Sequence, residues 1–310
     1  MNGFLNILKP PGMSSAAVVA AVKRLTGEKR IGHAGTLDPE AAGVLPVMVG
    51  QATRLFDYLV DKEKTYVAEC AFGQETDTQD AQGWVTAEGD AWPTPEQVRA
   101  AADALTGEIQ QRPGIYSAVK QGGRPLYMLA RKGRKAEAPL RTVRIERIAF
   151  HGETPNHGVL MTVDCGRGTY IRSLCEDIGR LCGCPAHMRF LLRTRSGAFT
   201  LDTAMTLEEV AALRDAGTLA SRLLPLDWPL GHLPALEVPE SLVRLARSGA
   251  ALNAGWIPGA MALTEGAPIR MIAEGEFAGI AVREEELLRW RMVVAGETEG
   301  EKNDGGKTHG

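Results

Sequence analysis

Aromatic residues are scarce, at 5% of 310 residues, so any ring that serves as a stacking platform comes from a short list. Cysteines number five, an odd count with no even disulfide framework, which suits a reducing compartment. No apolar run approaches the ~18 residues that a membrane-spanning helix needs; Ala16 to Val22 is the longest near the start, and Lys23 closes it. The first residues lack a basic stretch followed by a small-residue cleavage site, so no secretory leader is expected and the chain reads as cytoplasmic. There is no internal repeat. Positive charge is lacking in total: the net charge is −3 and the isoelectric point is near 6.1, which argues against a uniformly cationic nucleic-acid binder.

What is present is an ordinary globular composition, 44% hydrophobic and 24% charged, in a chain long enough for about two domains. The charge is uneven. Between Arg112 and Arg147 stand ten basic residues, Arg112, Lys120, Arg124, Arg131, Lys132, Arg134, Lys135, Arg141, Arg144 and Arg147, against Glu137 and Glu146 alone. That segment carries +8, which leaves −11 for the rest. It reads either as a solvated basic surface or as a local grip on a polyanion.

Several helices are marked by their ends. Ser14 or Ser15 can cap a helix bearing Val18, Val19, Val22 and Leu25, with Gly27 stopping it. Thr94-Pro95-Glu96-Gln97 and Thr206-Leu207-Glu208-Glu209 have the form of capping boxes, and Gly107 is expected to end the first of these helices. Ile171, Leu174, Ile178 and Leu181 give an apolar helical stripe closed by Gly183. Alternation of apolar and polar residues predicts strands over 64–72, 142–150 and 158–165. Helices and strands mix without the regular alternation of a parallel sheet, so the expected class is α+β (mixed α/β) with a largely antiparallel central sheet. Proline and glycine punctuate residues 225–239, which suggests a linker. Beyond it, a short helix near Leu242–Ala246 precedes strand-like runs over 268–273 and 277–282, turned by Gly275. A polar, glycine-rich tail from 297 to 310 is expected to be disordered.

The densest punctuation lies at Gly32-His33-Ala34-Gly35-Thr36-Leu37-Asp38-Pro39-Glu40-Ala41-Ala42-Gly43-Val44-Leu45-Pro46. Two readings of Asp38 are open. A carboxylate fixed on such a loop can be a nucleophile, a base or a metal ligand. On spacing alone the commoner arrangement is a helix N-cap, with Pro39 preorganised at the first helical position. Cys182-Gly-Cys184 with His187 invites a zinc reading, but no second cluster at finger-like spacing accompanies it, and ordinary free cysteines are commoner.

The stretch Gly35-Thr36-Leu37-Asp38-Pro39 followed by Ala42-Gly43-Val44-Leu45-Pro46 resembles the signature of the TruB family, bacterial synthases that convert uridine 55 of the tRNA T loop to pseudouridine. Other segments agree in order. Lys9-Pro10-Pro11-Gly12-Met13-Ser14-Ser15 resembles the family's N-terminal motif. Lys64-Thr65-Tyr66 with Gly73-Gln74-Glu75-Thr76-Asp77-Thr78 and Asp80 resembles its second motif. Tyr116-Ser117-Ala118-Val119-Lys120 with Tyr127 and Ala130-Arg131 resembles its RNA-gripping insertion. Gly168-Thr169-Tyr170-Ile171-Arg172-Ser173-Leu174 resembles its arginine motif, and Ala186-His187-Met188 through Leu191 and Arg193 completes the set. The match spans roughly residues 4–200. Glu40, Ala42 and the Pro113-Gly114 pair depart from the usual pattern, at positions with no expected chemistry.

The resemblance implies a catalytic domain over 1–230 with an insertion near 112–140, and a small β-rich PUA-like RNA-binding domain over 231–296. It implies an isomerase that flips the uridine out of its loop, at a cost of a few kcal/mol, and works without cofactor or metal. Asp38 would be the catalytic carboxylate, and Arg172 its ionic partner; by itself Arg172 reads as an exposed arginine in a first helical turn. Tyr66 would stack on the uracil, although its pattern alone suggests a half-buried strand tyrosine. Tyr170 would pack behind the base or hold Arg172, and Leu191 would wall the pocket. Lys9 would brace the loop. His33 would help displace the base or hold the opened loop, where a lone histidine is more often structural. Lys120, Arg124, Arg131, Lys132, Arg134 and Lys135 would contact the RNA backbone. The implied partner is tRNA, with no membrane, no obligatory protein partner and a monomeric state. Two alternatives are a noncatalytic tRNA-binding factor and an RNA-guided relative within a multiprotein particle. The intact Asp38, Tyr66 and Arg172 weigh against the first, and the short C-terminal unit without a long lysine-rich tail weighs against the second.

Overall fold

The structure is a computed structural model that describes residues 1–59, 63–116, 138–155 and 157–294, together with the backbone of 120–121 and 124–125. Two compact units divide the chain. The first comprises residues 1, 3–50 and 59–223, and the second residues 2, 51–58 and 224 onward.

The first unit is built on a nine-stranded sheet. Its strands are β1 (Gly3–Lys9), β2 (Ile31–His33), β3 (Ala42–Val49), β4 (Lys64–Phe72), β7 (Gly107–Gln111), β10 (Arg141–Thr154), β11 (Gly158–Cys165), β12 (Ala186–Ser196) and β13 (Phe199–Thr200); the small hairpins β5 (Gln74–Thr76) with β6 (Val85–Glu88), and β8 (Lys120–Gln121) with β9 (Arg124–Pro125), complete the numbering. The main path runs β1-β3-β12-β4-β11-β10-β7, with β2 on β3 and β13 on β12. Every pairing is antiparallel except β3 with β12, where Leu192 meets Ala42 and Arg193 meets Gly43. The class is therefore mixed α+β with a largely antiparallel sheet, as the patterning implied. The strands expected at 64–72 and 158–165 have those bounds, because each alternates cleanly; the one expected at 142–150 runs on to Thr154 through a bulge between Phe150 and Gly152.

Helices cover the sheet. Ser14 Oγ accepts from the Ala17 amide (3.1 Å) to start the Ser15–Thr26 helix, and left-handed Gly27 ends it. Both capping boxes form, at Thr94 and at Thr206. The Pro95–Ala104 helix stops at Leu105, however, and Gly107 opens strand β7 instead of closing the helix. The Ile171–Cys182 helix ends on left-handed Gly183 and packs Ile171, Leu174, Cys175 and Ile178 against Tyr66, Ala68, Cys70 and Leu191 of β4 and β12. A second apolar cluster joins Leu5, Ile7, Leu45 and Val47 to Val18 and Val22 and to Val210 of the Leu207–Asp215 helix.

The second unit has its own core and a five-stranded sheet ordered β14 (Ala235–Glu237), β16 (Pro268–Ala273), β17 (Glu276–Glu284), β18 (Leu287–Val293) and β15 (Leu252–Asn253). The expected linker over 225–239 is partly structured: it holds a 3-10 turn at Trp228–Leu230 and strand β14. Residues 51–58 also belong here, Arg54 Nη1 donating to the Val293 carbonyl at 3.1 Å. Among the described residues, no helix is long and apolar enough to cross a membrane.

Candidate active site

The loop between β2 and β3 is held by side chains from distant elements. Ser15 Oγ donates to the Leu37 carbonyl (3.0 Å) and accepts from the Leu37 amide (2.9 Å). Lys9, with no exposed surface, donates through Nζ to the carbonyls of Pro10, Met13 and Pro39 at 2.8, 2.5 and 2.7 Å. Burial lowers the Lys9 ammonium to about 8, against the pull of nearby Glu40 and Asp38. Arg193, also without exposed surface, donates to the carbonyls of Val44 (2.8 Å), Gly35 (3.2 Å) and Thr36 (3.3 Å). Gly43 makes the crossing of β3 and β12 possible: its φ is +114°, and a Cβ there would lie 2.1 Å from the Arg193 carbonyl oxygen. Leu37 and Ala41 plug into the core on either side of Asp38. The loop is thus held from several sides, with the Asp38 carboxylate partly exposed and Glu40 exposed beside it.

Asp38 caps no helix. The residues after it form a turn, closed by the Ala41 amide donating to the Asp38 carbonyl at 3.2 Å, and then enter β3. Its carboxylate meets Arg172 instead. Arg172 Nε lies 3.0 Å from Asp38 Oδ2, and Arg172 Nη2 donates to Asp38 Oδ1 at 3.2 Å. This fork is the geometry in which a guanidinium binds a carboxylate most strongly. The Arg172 side chain is 8% exposed and that of Asp38 34%, so the arginine is walled in while the carboxylate stays open on one side. Arg172 is further fixed by the carbonyls of Thr78 (Nη1, 3.0 Å) and Tyr116 (Nη2, 3.0 Å) and by Asp80, 3.6 Å from Nη1. Confinement raises the Asp38 carboxyl above the usual carboxylate range; Asp80 adds to the rise, and Arg172 and Lys9 oppose it.

Two cavities flank this pair. One, of about 240 Å³, is lined by Asp38, Lys64, Tyr66, Tyr170, Arg172 and Leu191 among others. The second, of about 490 Å³, also contains Asp38, Arg172 and Leu191 and extends over Pro39, Thr78, Asp80 and Met188. Register explains why these residues meet. Leu191 lies opposite Ala68, and Arg193 opposite Tyr66, across β12 and β4. Tyr66 is 6% exposed; burial pushes its phenol up to about 12, against the opposing effect of the nearby Arg193, so it stays neutral. The backbone of Tyr170 is clamped by Gln111, whose Oε1 accepts from the Tyr170 amide (2.8 Å) and whose Nε2 donates to its carbonyl (3.1 Å).

Asp38, Tyr66, Tyr170, Arg172 and Leu191 therefore line one site, and Lys9 stands beneath the loop. His33 does not line either cavity; its Nδ1 accepts from the Gly35 amide at 3.3 Å, and burial lowers its pKa. The side chains of Lys120, Arg124, Arg131, Lys132, Arg134 and Lys135 lie outside the described residues. Of the other basic residues in that segment, Arg144 pairs with Glu146 (2.5 Å) and Arg147 with Asp164 (2.9 Å), which spends part of their charge. The zinc reading has no support in geometry. Cys182 and Cys184 are free thiols, Cys184 Sγ donates to the Ala91 carbonyl, and His187 Nδ1 is bonded to the Gln74 carbonyl; among the described residues no metal-binding group of side chains forms. Sequence reasoning missed Ser15, Asp80 and Arg193 as site-building residues. All three stood within the recognised motifs, but nothing local marks their partners.

Comparison with known proteins identifies the family. Residues 23–171 match the model of the TruB family pseudouridylate synthase N-terminal domain, and residues 172–231 that of the tRNA pseudouridylate synthase B C-terminal domain. A tRNA pseudouridine synthase B of Alkaliphilus oremlandii is 42% identical over 282 residues, covering 91% of this chain and 93% of its own. One from Moorella thermoacetica is 45% identical over 284 residues, covering 90% and 93%. Among solved structures, a Cbf5-Nop10-Gar1 complex contains a chain with a TM-score of 0.71 at 28% identity, covering 94% of this chain and 84% of that one.

Proposed function

The chain belongs to the TruB family of pseudouridylate synthases, and on that premise we propose that it isomerises uridine 55 in the T loop of tRNA, with Asp38 as the catalytic carboxylate. It is a tRNA pseudouridine synthase, an isomerase. The reaction breaks the bond from ribose C1′ to uracil N1, turns the base, and joins C1′ to C5; N1 gains a proton and C5 loses one. Oxidation level is unchanged, so the chemistry calls for no redox cofactor. Each route open to a carboxylate, whether an ester at C1′, addition at C6 or removal of a sugar proton, needs Asp38 ionised and aimed.

The observation that carries the reading is the fork of Arg172 on an otherwise open Asp38 at the mouth of two cavities. Arg172 keeps the acid ionised in a confined place. The cavity beside Tyr66, at about 240 Å³, holds roughly eight waters at ~30 Å³ each, the scale of one planar base. Tyr66 and Leu191 form its walls, and Tyr170 lies at its rim. Lys9 braces the loop, His33 holds the backbone of Gly35, and the basic segment around Arg131 to Lys135 grips phosphates flanking the opened loop. The second unit serves as a small RNA-binding domain. We place the enzyme in the cytoplasm as a monomer without an obligatory protein partner.

The test is to treat an unmodified tRNA transcript with the purified protein alone and map pseudouridine. Modification at position 55 is the expected result. Modification elsewhere, or none, would overturn the assignment.

A further inference from the structure

Gln79 holds a left-handed backbone conformation, φ 62°, which a long side chain adopts rarely and keeps only where its surroundings over-determine it. Here they do. Its amide donates to the Thr76 carbonyl (3.0 Å) and its carbonyl accepts from the Met188 amide (3.0 Å). Its Oε1 accepts from Ser173 Oγ at 3.0 Å, and its Nε2 donates to Glu176. Ser173 follows Arg172 directly, and Glu176 lies one turn further along the same helix. The neighbours of Gln79 face the other way: the Thr78 carbonyl and the Asp80 carboxylate both take Nη1 of Arg172. The turn and the helix are thus tied twice, once through the Arg172 guanidinium and once through the Gln79 amide. Gly114 closes over that amide, and a Cβ there would lie 2.5 Å from Gln79 Oε1. Two residues later, Tyr116 supplies the third acceptor on Arg172.

We infer that Gln79 is a positioning residue for the Asp38–Arg172 pair. Its side chain locks the 76–80 turn to the Arg172 helix, so that Thr78 and Asp80 occupy the Nη1 side of the guanidinium and leave Nε and Nη2 for Asp38. The inference rests on reading Asp38 as the reacting carboxylate.

Gln79→Gly tests it, since glycine relaxes the left-handed backbone while deleting the tie. The expected result is an unchanged or raised melting temperature, a KM for tRNA within twofold, and a kcat about tenfold lower. The acid limb of the kcat profile should move to higher pH, because Asp38, faced by Arg172, Asp80 and Lys9, loses part of its alignment with the arginine. A wild-type kcat with an unmoved limb would overturn the inference. A second arm uses exchange of donor and acceptor, assayed at pH 8. Burial and the neighbouring Glu75 raise Glu176 to about 7, with Asp177 adding, so it is mostly ionised there. Gln79→Glu sets two carboxylates face to face and should lower kcat. Adding Glu176→Gln restores an amide–carboxylate pair and should recover most of it; no recovery would contradict the proposed tie. The Arg172 Nε–H resonance gives a readout independent of turnover, slowly exchanging in the wild type and faster in Gln79→Gly; equal exchange in the two would overturn the tie. Wild-type protein inactive on tRNA would refute the functional reading, while this exchange measurement would still decide the role of Gln79.

Discussion

Arg172 grips Asp38 through two different nitrogens, Nε at 3.0 Å and Nη2 at 3.2 Å, and spends its remaining donors on the carbonyls of Thr78 and Tyr116 and the carboxylate of Asp80. No lysine can reproduce that fork. Arg172→Lys keeps the charge but loses at least one charge-assisted hydrogen bond to Asp38 and leaves carbonyls without donors. With such bonds worth ~1.5–3 kcal/mol each and a tenfold rate change per ~1.4 kcal/mol, turnover should fall roughly 100-fold. The pH profile should change as well. The active form of Asp38 is ionised and its pKa is already raised by burial and Asp80, so activity is lost as pH falls through a value above the usual carboxylate range. Weakening Arg172, which opposes that rise, moves the limb higher still. Rate–pH profiles of the two proteins measure both effects.

Tyr66 and Arg193 face each other across β4 and β12, and their variants should separate two functions. Tyr66→Phe keeps the ring and loses only the hydroxyl near Arg193, so turnover should stay within about fivefold, the ~1 kcal/mol that a single hydrogen bond is worth. Tyr66→Ala removes a stacking surface worth ~1–3 kcal/mol and should cost about 10- to 100-fold. Arg193→Met leaves the carbonyls of Gly35, Thr36 and Val44 without their donor. At ~1–3 kcal/mol per buried unsatisfied group, its urea midpoint should drop by an amount equivalent to about 3 kcal/mol or more, with activity falling as the loop slackens.

The +8 segment should dominate the electrostatic part of tRNA affinity. Replacing Lys132, Arg134 and Lys135 together with alanine should weaken binding and flatten its salt dependence, by about 0.7–0.9 in the log–log slope for each phosphate that is no longer neutralised. Fluorescence titrations across a series of salt concentrations would show it. An unchanged slope would place the phosphate grip elsewhere.

Local pattern made much of this fold legible. The strands at Lys64–Phe72 and Gly158–Cys165 alternate with period two, and both capping boxes lie within four residues of sequence, so neighbouring residues settled them. Asp38 was harder. Its cap-like setting is local, while the partner that decides its role is 134 residues away. Ser15 read as a possible cap and instead pins Leu37. Arg193 and Lys9 bond backbone carbonyls, which every residue possesses, so no residue type announces such a partner. Gly107 looked like a helix stop, yet the chain had already left the helix at Leu105 and needed the positive φ to enter β7. Family motifs supplied the site members that pattern could not, and geometry added Asp80 and Gln79 beside them.

The central claim is that Asp38 performs the chemistry and does not merely help hold the RNA. Asp38→Asn preserves shape and one acceptor for Arg172 while removing the negative charge, so it isolates that claim. The decisive measurement is pseudouridine formation in an unmodified tRNA transcript, with tRNA binding measured on the same preparation. The account predicts that isomerisation is abolished and that affinity stays within a few-fold of the wild type. Undiminished turnover, or a loss of activity explained entirely by weakened binding, would contradict it.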